Sequence, residues 1–561
     1  MQQGFFDDKR PEGVANTIDI TKYDSVVEVL NKACKEHSSR PAFTNLGHTI
    51  SFADLDRLSA NFAAYLQNHT TLKAGDRIAV QMPNLLQFPI AVFGALRAGM
   101  VVVNTNPLYT EREMKHQFND SGAKALVVID MFGHMVERIL NETPLKHVII
   151  TSTGDMVPGF KGHLISGMMK HVKKTVPAYK LPKAVNWRKA MKQGARKKHT
   201  AVPATRDDIA ILQYTGGTTG VAKGAMLTNK NLVGNMMQVK ETLNQKGPDG
   251  QAVIKRGQEV VVAPLPLYHI YSFTAHCMSL MELGSHSILI TNPRDPKMFI
   301  SMIKDKGITG FVGLNTLFVS LMDHPDFKLI DFSKLKMTLS GGTALVKDTA
   351  DRWKEQTGVT ISEGYGLTEC SPVVCSNPMG DLCQLGTIGL PLPSTEIKCI
   401  DDKGDTVAIG ERGELCVRGP QVMKGYWQRP EATAEILSED GWLRTGDVAV
   451  IAEDGFSKIV DRIKDLILVS GFNVYPNEIE DVVASHPDVV NCAVIGVKND
   501  KSGEIPKLFV VSSNPDLSKD EIFAYCKESL TSYKLPRIIE FRDELPMSPV
   551  GKILRRELRD N

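Results

Sequence analysis

The 561-residue chain has no CxxC pair among its nine cysteines and no excess of one charge, with 66 Lys plus Arg against 64 Asp plus Glu. Nor does any apolar run reach the roughly 18–20 residues that a membrane-spanning helix needs; Arg97 breaks the best stretch, around Ile90 to Val103. The opening MQQGFFDDKRPEG lacks the basic stretch and apolar core of a secretory leader. An odd, sparse and unpaired cysteine set argues against a disulfide scaffold and for a reducing compartment. Together these absences predict a cytoplasmic protein, soluble or at most peripheral to the inner face of a membrane. Near-neutral charge, with 42% hydrophobic and 23% charged residues, excludes a disordered chain and a dedicated nucleic-acid binder. What remains is a globular chain long enough for several units of about 150 residues.

Two periodicities alternate in the first half. Ser25 with Glu28 reads as a capping box before a helical face of Val26, Val27, Leu30, Ala33 and Cys34. Leu55, Leu58, Phe62 and Leu66 repeat that pattern after Ser51. Short β-branched runs follow at helix-length spacing: Ile78 to Val80, Val101 to Val103, Leu126 to Ile129, Val148 to Ile150, Ile209 to Leu212 and Val260 to Val262. Such runs, apolar on both faces, predict an α/β fold with buried sheets.

Two segments break the pattern. Met156 to Thr205 contains no acidic residue, while twelve basic ones accumulate from Lys161 to Lys198, with Met168, Met169, Val172, Val176 and Trp187 interleaved. This is a solvated basic face or a docking site for anionic lipid headgroups, with nucleic acid a weaker third reading. Near Asp461, glycine and charge cluster in DRIKDLILVSGFNVYPNEIE. After it a helix from Pro476, strands at Ala493 to Ile495 and Leu508 to Val511, and a helix at Glu521 to Cys526 predict a separate small α+β unit.

The strand Ile209 to Leu212 leads into YTGGTTGVAKG, with Thr215, Gly216, Gly217, Thr218, Thr219, Gly220 and Lys223 within eleven positions. Glycines allow backbone N–H groups close to an oxyanion, threonines add donors, and a lysine supplies a point charge; this is a phosphate-binding composition. It is not a Walker A loop, because Val221 and Ala222 separate Gly220 from Lys223.

The loop resembles the nucleotide-phosphate loop of the adenylate-forming superfamily, which contains acyl-CoA synthetases, luciferases and peptide-synthetase adenylation domains. Most members carry proline where this chain has Ala222. Further segments match in the family's order: PLYHIYSFT from Pro266, SGGTAL from Ser340, EGYGLTE from Glu363, GWLRTGD from Gly441, DRIKD with VSGFNVYP from Asp461, and SPVGKILRREL from Ser548. The resemblance covers the chain from about residue 25 onward, and VSGFNVYPNEIEDVV is similar to the wording of the family's long-chain acyl-CoA synthetases. It implies an N-terminal body, residues 1–463, of doubly wound α/β subdomains plus a β-barrel-like subdomain, and a mobile C-terminal α+β domain, residues 464–561, hinged at Lys464.

The same resemblance implies ATP-dependent activation of a long-chain fatty acid to acyl-CoA through an acyl-adenylate, with AMP and pyrophosphate released, and relatives within the family imply a homodimer. Glu369 corresponds to the Mg²⁺ ligand and Thr368 to the residue at the α-phosphate. Tyr365 with the Gly341 and Gly342 backbone corresponds to the adenine site, Gly364 and Gly366 to further ATP-binding positions, and Asp447 with Arg462 to the ribose site. Lys552 matches the adenylation lysine, His269 the residue at the acyl entrance, and Ser470 with Gly471 the CoA passage. Phe311 to Met322 is apolar enough to line an acyl tunnel or to be plain core. A different carboxylate, or a carrier protein as acceptor, is the alternative reading. Only nine residues follow Lys552, so a fused carrier is not expected.

Overall fold

The structure is a computed structural model that describes residues 4–215, 222–470, 472–499, 502–548 and 551–559. Each of the six β-branched runs lies within a strand, because parallel strands covered on both faces must be apolar throughout. Five of them enter a seven-stranded sheet ordered Val185–Asn186, His147–Thr151, Ala123–Ile129, Arg77–Gln81, Val101–Thr105, Ile209–Thr215 and Lys223–Thr228. Only the last strand is antiparallel to its neighbour. The sixth, Val260–Ala263, lies in a nine-stranded sheet that runs Leu390–Pro391, Val373–Ser376, Ile361–Gly366, Met337–Gly341, Gly310–Gly313, Val260–Ala263, His286–Leu289, Pro41–Asn45 and His48–Ser51.

Two smaller sheets follow. Glu396–Ile400, Arg412–Arg418, Leu443–Ile451 and Ser457–Arg462 form a four-stranded antiparallel unit. After the 3₁₀ turn Ile463–Asp465, strands Ile467–Val469, Phe472–Val474, Val489–Asn499, Gly503–Ser512 and Ile538–Phe541 form a five-stranded sheet. Helices Pro476–Ala484 and Lys519–Ser529 pack on it around Ile479, Val483, Ile522 and Cys526.

Local signals set the helix starts. Ser51 and Asp54 form a reciprocal capping box at the helix Phe52–His69. At Val26–Glu36 the reciprocity expected of Ser25 and Glu28 is displaced by one residue. Ser25 accepts the Glu28 N–H, but the Glu28 carboxylate takes the N–H of Asp24 at 2.7 Å. All nine cysteines are unpaired.

Packing decides between the readings of two apolar stretches. Phe311 and Phe318 pack against the buried Trp353, at 5.4 and 4.8 Å between ring centroids, so Phe311 to Met322 is core. In the basic segment Trp187 is buried, 5.1 Å from Phe62, and Val176 is buried as well. Met168 and Val172 are exposed as expected, and Phe160 and Leu164 join them. Among the described residues no helix is long and apolar enough to cross a membrane.

Candidate active site

The phosphate-type loop is pinned at both ends. Thr215 closes one strand and Lys223 opens its antiparallel partner, and the two face each other in register. Gly216, Gly217, Thr218, Thr219 and Gly220 lie outside the described residues, as does Gly471. The Lys223 ammonium sits 5.1 Å from the centroid of the Tyr426 ring, and the Tyr426 hydroxyl donates to Glu369 Oε1 at 2.6 Å. Tyr426 thus joins the loop to the EGYGLTE segment. A lone tyrosine 57 residues from its partner has no local signature, which is why sequence reading passes it over.

Glu369 lies in the 3₁₀ turn Thr368–Cys370, and its carbonyl accepts the Met423 N–H at 2.8 Å. Gly366, just before the turn, has no room for a side chain, since a Cβ would fall 2.1 Å from the Pro372 carbonyl oxygen. Among the described residues no cluster of three or more His, Cys, Asp or Glu could cage a metal. One carboxylate with a single oxygen engaged by Tyr426 fits a Mg²⁺ ion held mainly by phosphates and water, the usual mode for that cation on nucleotides.

Gly341 and Gly364 are paired across parallel strands. Beside them the Tyr365 hydroxyl donates to Asp447 Oδ2 at 2.5 Å. Asp447 faces Arg462 across the antiparallel ladder, with Arg462 Nε 3.1 Å from Oδ1. Burial, with the Asp447 carboxylate adjacent, pushes the Tyr365 phenol up, so it acts here as a neutral donor.

Lys552 reaches this group from the small lobe. Its Cε lies 4.0 Å from where a Cβ of Gly342 would stand. Its N–H donates to Ser548 Oγ at 2.9 Å, and its carbonyl accepts the Ser548 N–H at 2.7 Å. Gly551 seats the loop on the large lobe, where an added Cβ would come within 3.0 Å of Leu314 Cδ1. Burial, reinforced by Arg462, lowers the Lys552 ammonium to about 8, against the opposing pull of Asp447 and Glu369. Burial and the nearby Lys552 charge take His269 down to about 4, so its imidazole is neutral; Nδ1 accepts the Tyr271 N–H at 3.3 Å.

The lobes also meet at Asp461, whose buried carboxylate accepts the N–H groups of Arg462, at 2.7 Å, and of Asn477, at 2.9 Å, in the small lobe. Lys464 lies in the turn Ile463–Asp465 and is lowered by burial and by Arg462. The structure therefore gathers Lys223, Glu369, Tyr365, Asp447, Arg462, His269 and Lys552. It leaves Ser470 solvent-exposed in the turn after Ile467–Val469.

A narrow, predominantly apolar cavity of about 80 Å³ begins at Tyr271, Ser340 and Gly364 and continues beneath the helix Asn229–Thr242.

A two-lobed α/β protein whose small lobe inserts a half-buried lysine beside a carboxylate and a Tyr–Asp–Arg group has the build of an enzyme that activates carboxylates on a nucleotide. The chain belongs to the AMP-binding enzyme family, which it matches over residues 30–427, with the AMP-binding enzyme C-terminal domain matched over 478–552. A long-chain-fatty-acid–CoA ligase of Salmonella typhimurium is 50% identical over 98% of this chain and 97% of its own. A protein of the same description from Bacillus subtilis is 36% identical over 94% of this chain and 93% of its own. Among solved structures, the anthranilate CoA ligase AuaEII in complex with anthranoyl-AMP superposes with a TM-score of 0.84 at 25% identity, covering 97% of this chain and 98% of that one.

Proposed function

We propose that the protein is an AMP-forming long-chain fatty acid–CoA ligase. The observation that carries this reading is the insertion of Lys552 into a cleft that opens on a predominantly apolar cavity running across the sheet. In the first half-reaction a fatty-acid carboxylate oxygen forms a bond to the α-phosphorus of ATP, and the bond to the β-phosphate oxygen breaks. In the second the CoA thiolate attacks the acyl carbonyl and AMP leaves.

Each residue has a part in this scheme. Lys552 offsets the charge that gathers between carboxylate and α-phosphate. Thr368 donates to the α-phosphate, and the 215–223 loop with Lys223 holds the outer phosphates. Tyr365, the glycines 341, 342, 364 and 366, and the Asp447–Arg462 pair bind adenine and ribose. Neutral His269 lines the acyl entrance without adding a charge there. Glu369 would hold Mg²⁺ together with the phosphates; when bound, the ion supplies neutralisation of the departing pyrophosphate. Rotation about Lys464 would then withdraw Lys552 and bring the Ser470 and Gly471 turn up to admit CoA.

Pyrophosphate release dependent on a fatty acid, with thioester appearing only when CoA is added, is the expected result. Release with no acid dependence would overturn the reading. The same assay at subsaturating ATP falls as pH rises through about 8, because the ammonium of Lys552 is the active form and its deprotonation in the free enzyme lies there. Lys552→Arg removes that limb.

Peripheral membrane contact belongs to the same proposal. Phe160, Leu164, Met168 and Val172, four residues apart along Gly159–Gly167 and the π turn Met168–Val172, form an exposed apolar stripe. Exposed Lys161, Lys170, Lys173 and Lys174 flank it, the composition of an interfacial helix on anionic lipid. Cosedimentation with phosphatidylglycerol vesicles should drop in a Phe160→Ser/Leu164→Ser variant; unchanged cosedimentation would count against the stripe.

A further inference from the structure

The cavity crosses four adjacent strands of the nine-stranded sheet, represented in order by Ser340, Gly364, Ser376 and Pro391. Three inter-strand steps of about 4.8 Å place its ends ~14 Å apart. One end is the cluster around Tyr271 and Gly364. The other is the edge strand Leu390–Pro391, where Arg10, Pro11 and Val14 complete the lining.

Those three residues belong to a segment that precedes the family match, which starts at residue 30. The segment is strapped to both walls of the cavity. The Arg10 guanidinium donates to the carbonyls of Pro391 and Leu392. Glu12 takes the Lys246 N–H on its carbonyl at 2.9 Å and pairs with the Lys246 ammonium at 2.7 Å. Ile18 N–H donates to Ser394 Oγ at 3.0 Å, and Ser394 N–H returns a bond to the Asn16 carbonyl at 2.9 Å.

Arg10 Nε is buried and has no partner. A buried donor left unsatisfied is costly and calls for a reason. Closure of the cavity supplies one: the stem of Arg10 covers apolar space while its head turns to the edge-strand carbonyls, the way long cationic side chains seal apolar surfaces.

We propose that Arg10, with the segment it anchors, is the floor of the acyl cavity and sets the longest chain that the enzyme accepts. The inference rests on the ligase reading and adds a specificity-determining residue to it. It is tested by measuring kcat/KM for saturated acids from octanoate to tetracosanoate on the full chain. In Arg10→Ala the falling edge of the profile moves to longer acids, and the ratio for docosanoate over palmitate rises about tenfold as two further methylenes find room. In Val14→Trp the edge moves to shorter acids. Shifts of opposite direction at an unchanged KM for ATP do not arise from loss of fold. Profiles that superimpose on wild type, or that fall equally at every length, defeat the inference alone. Wild-type protein that turns over no fatty acid defeats the functional reading, and the inference with it.

Discussion

Lys552→Ala lowers acyl-AMP formation by about 10²–10³-fold, the loss typical when one preorganised donor to developing charge is removed. Thioester formation from supplied acyl-AMP and CoA is expected to change little. The asymmetry follows from position. Lys552 stands beside Gly342 and within the electrostatic reach of Glu369 and Asp447, where ATP and carboxylate would meet. It gets there only because Gly551 packs on Leu314 and Asp461 accepts the Asn477 N–H across the lobes. Once the adenylate exists, the lysine has no further charge to offset. Pyrophosphate exchange and single-turnover thioester assays on the same preparation separate the two steps. Equal loss in both would mean that Lys552 supports the fold or both reactions, and the assignment would fail.

Gly364→Leu is expected to close the cavity to long chains. An added Cβ at this strand position meets nothing nearer than the Cys375 carbonyl oxygen at 3.6 Å, so the backbone tolerates it. The rest of the side chain would occupy the space shared with Tyr271 and Ser340 at the mouth. Excluding about four methylenes from burial, at about 0.8 kcal/mol each, costs ~3 kcal/mol, or about 10²-fold in kcat/KM for palmitate. Because Gly364 also borders the nucleotide site, KM for ATP is measured alongside, and acids of two to four carbons are expected to lose much less than palmitate. A uniform fall over all lengths would place the acyl chain outside this cavity.

Much of the fold was readable because its signals are local. A strand buried on both faces must be apolar along its length, so the runs at Ile78, Val101, Leu126, Val148, Ile209 and Val260 declare themselves without a partner in view. A stretch of glycine, hydroxyl and lysine at close spacing likewise stands out without its tertiary partners, and the fold sets its two ends, Thr215 and Lys223, in register. What composition left open has one origin. An apolar run has the same composition whether it packs on Trp353 or lines a void, and Phe311 to Met322 proved to be the former. Trp187 and Phe160 lie in one basic segment, yet one is core and the other solvent-facing.

The chain by itself determined the α/β class and the order of the segments that match the family. Only the tertiary structure decided that Tyr426 bridges Lys223 to Glu369, that Lys552 enters the cleft, and that Arg10 meets Pro391 at the far end of a cavity. The division has a physical cause. Bonding within a turn or strand depends on neighbours a few residues away, whereas a void and the groups that close it exist only once segments hundreds of residues apart have packed together.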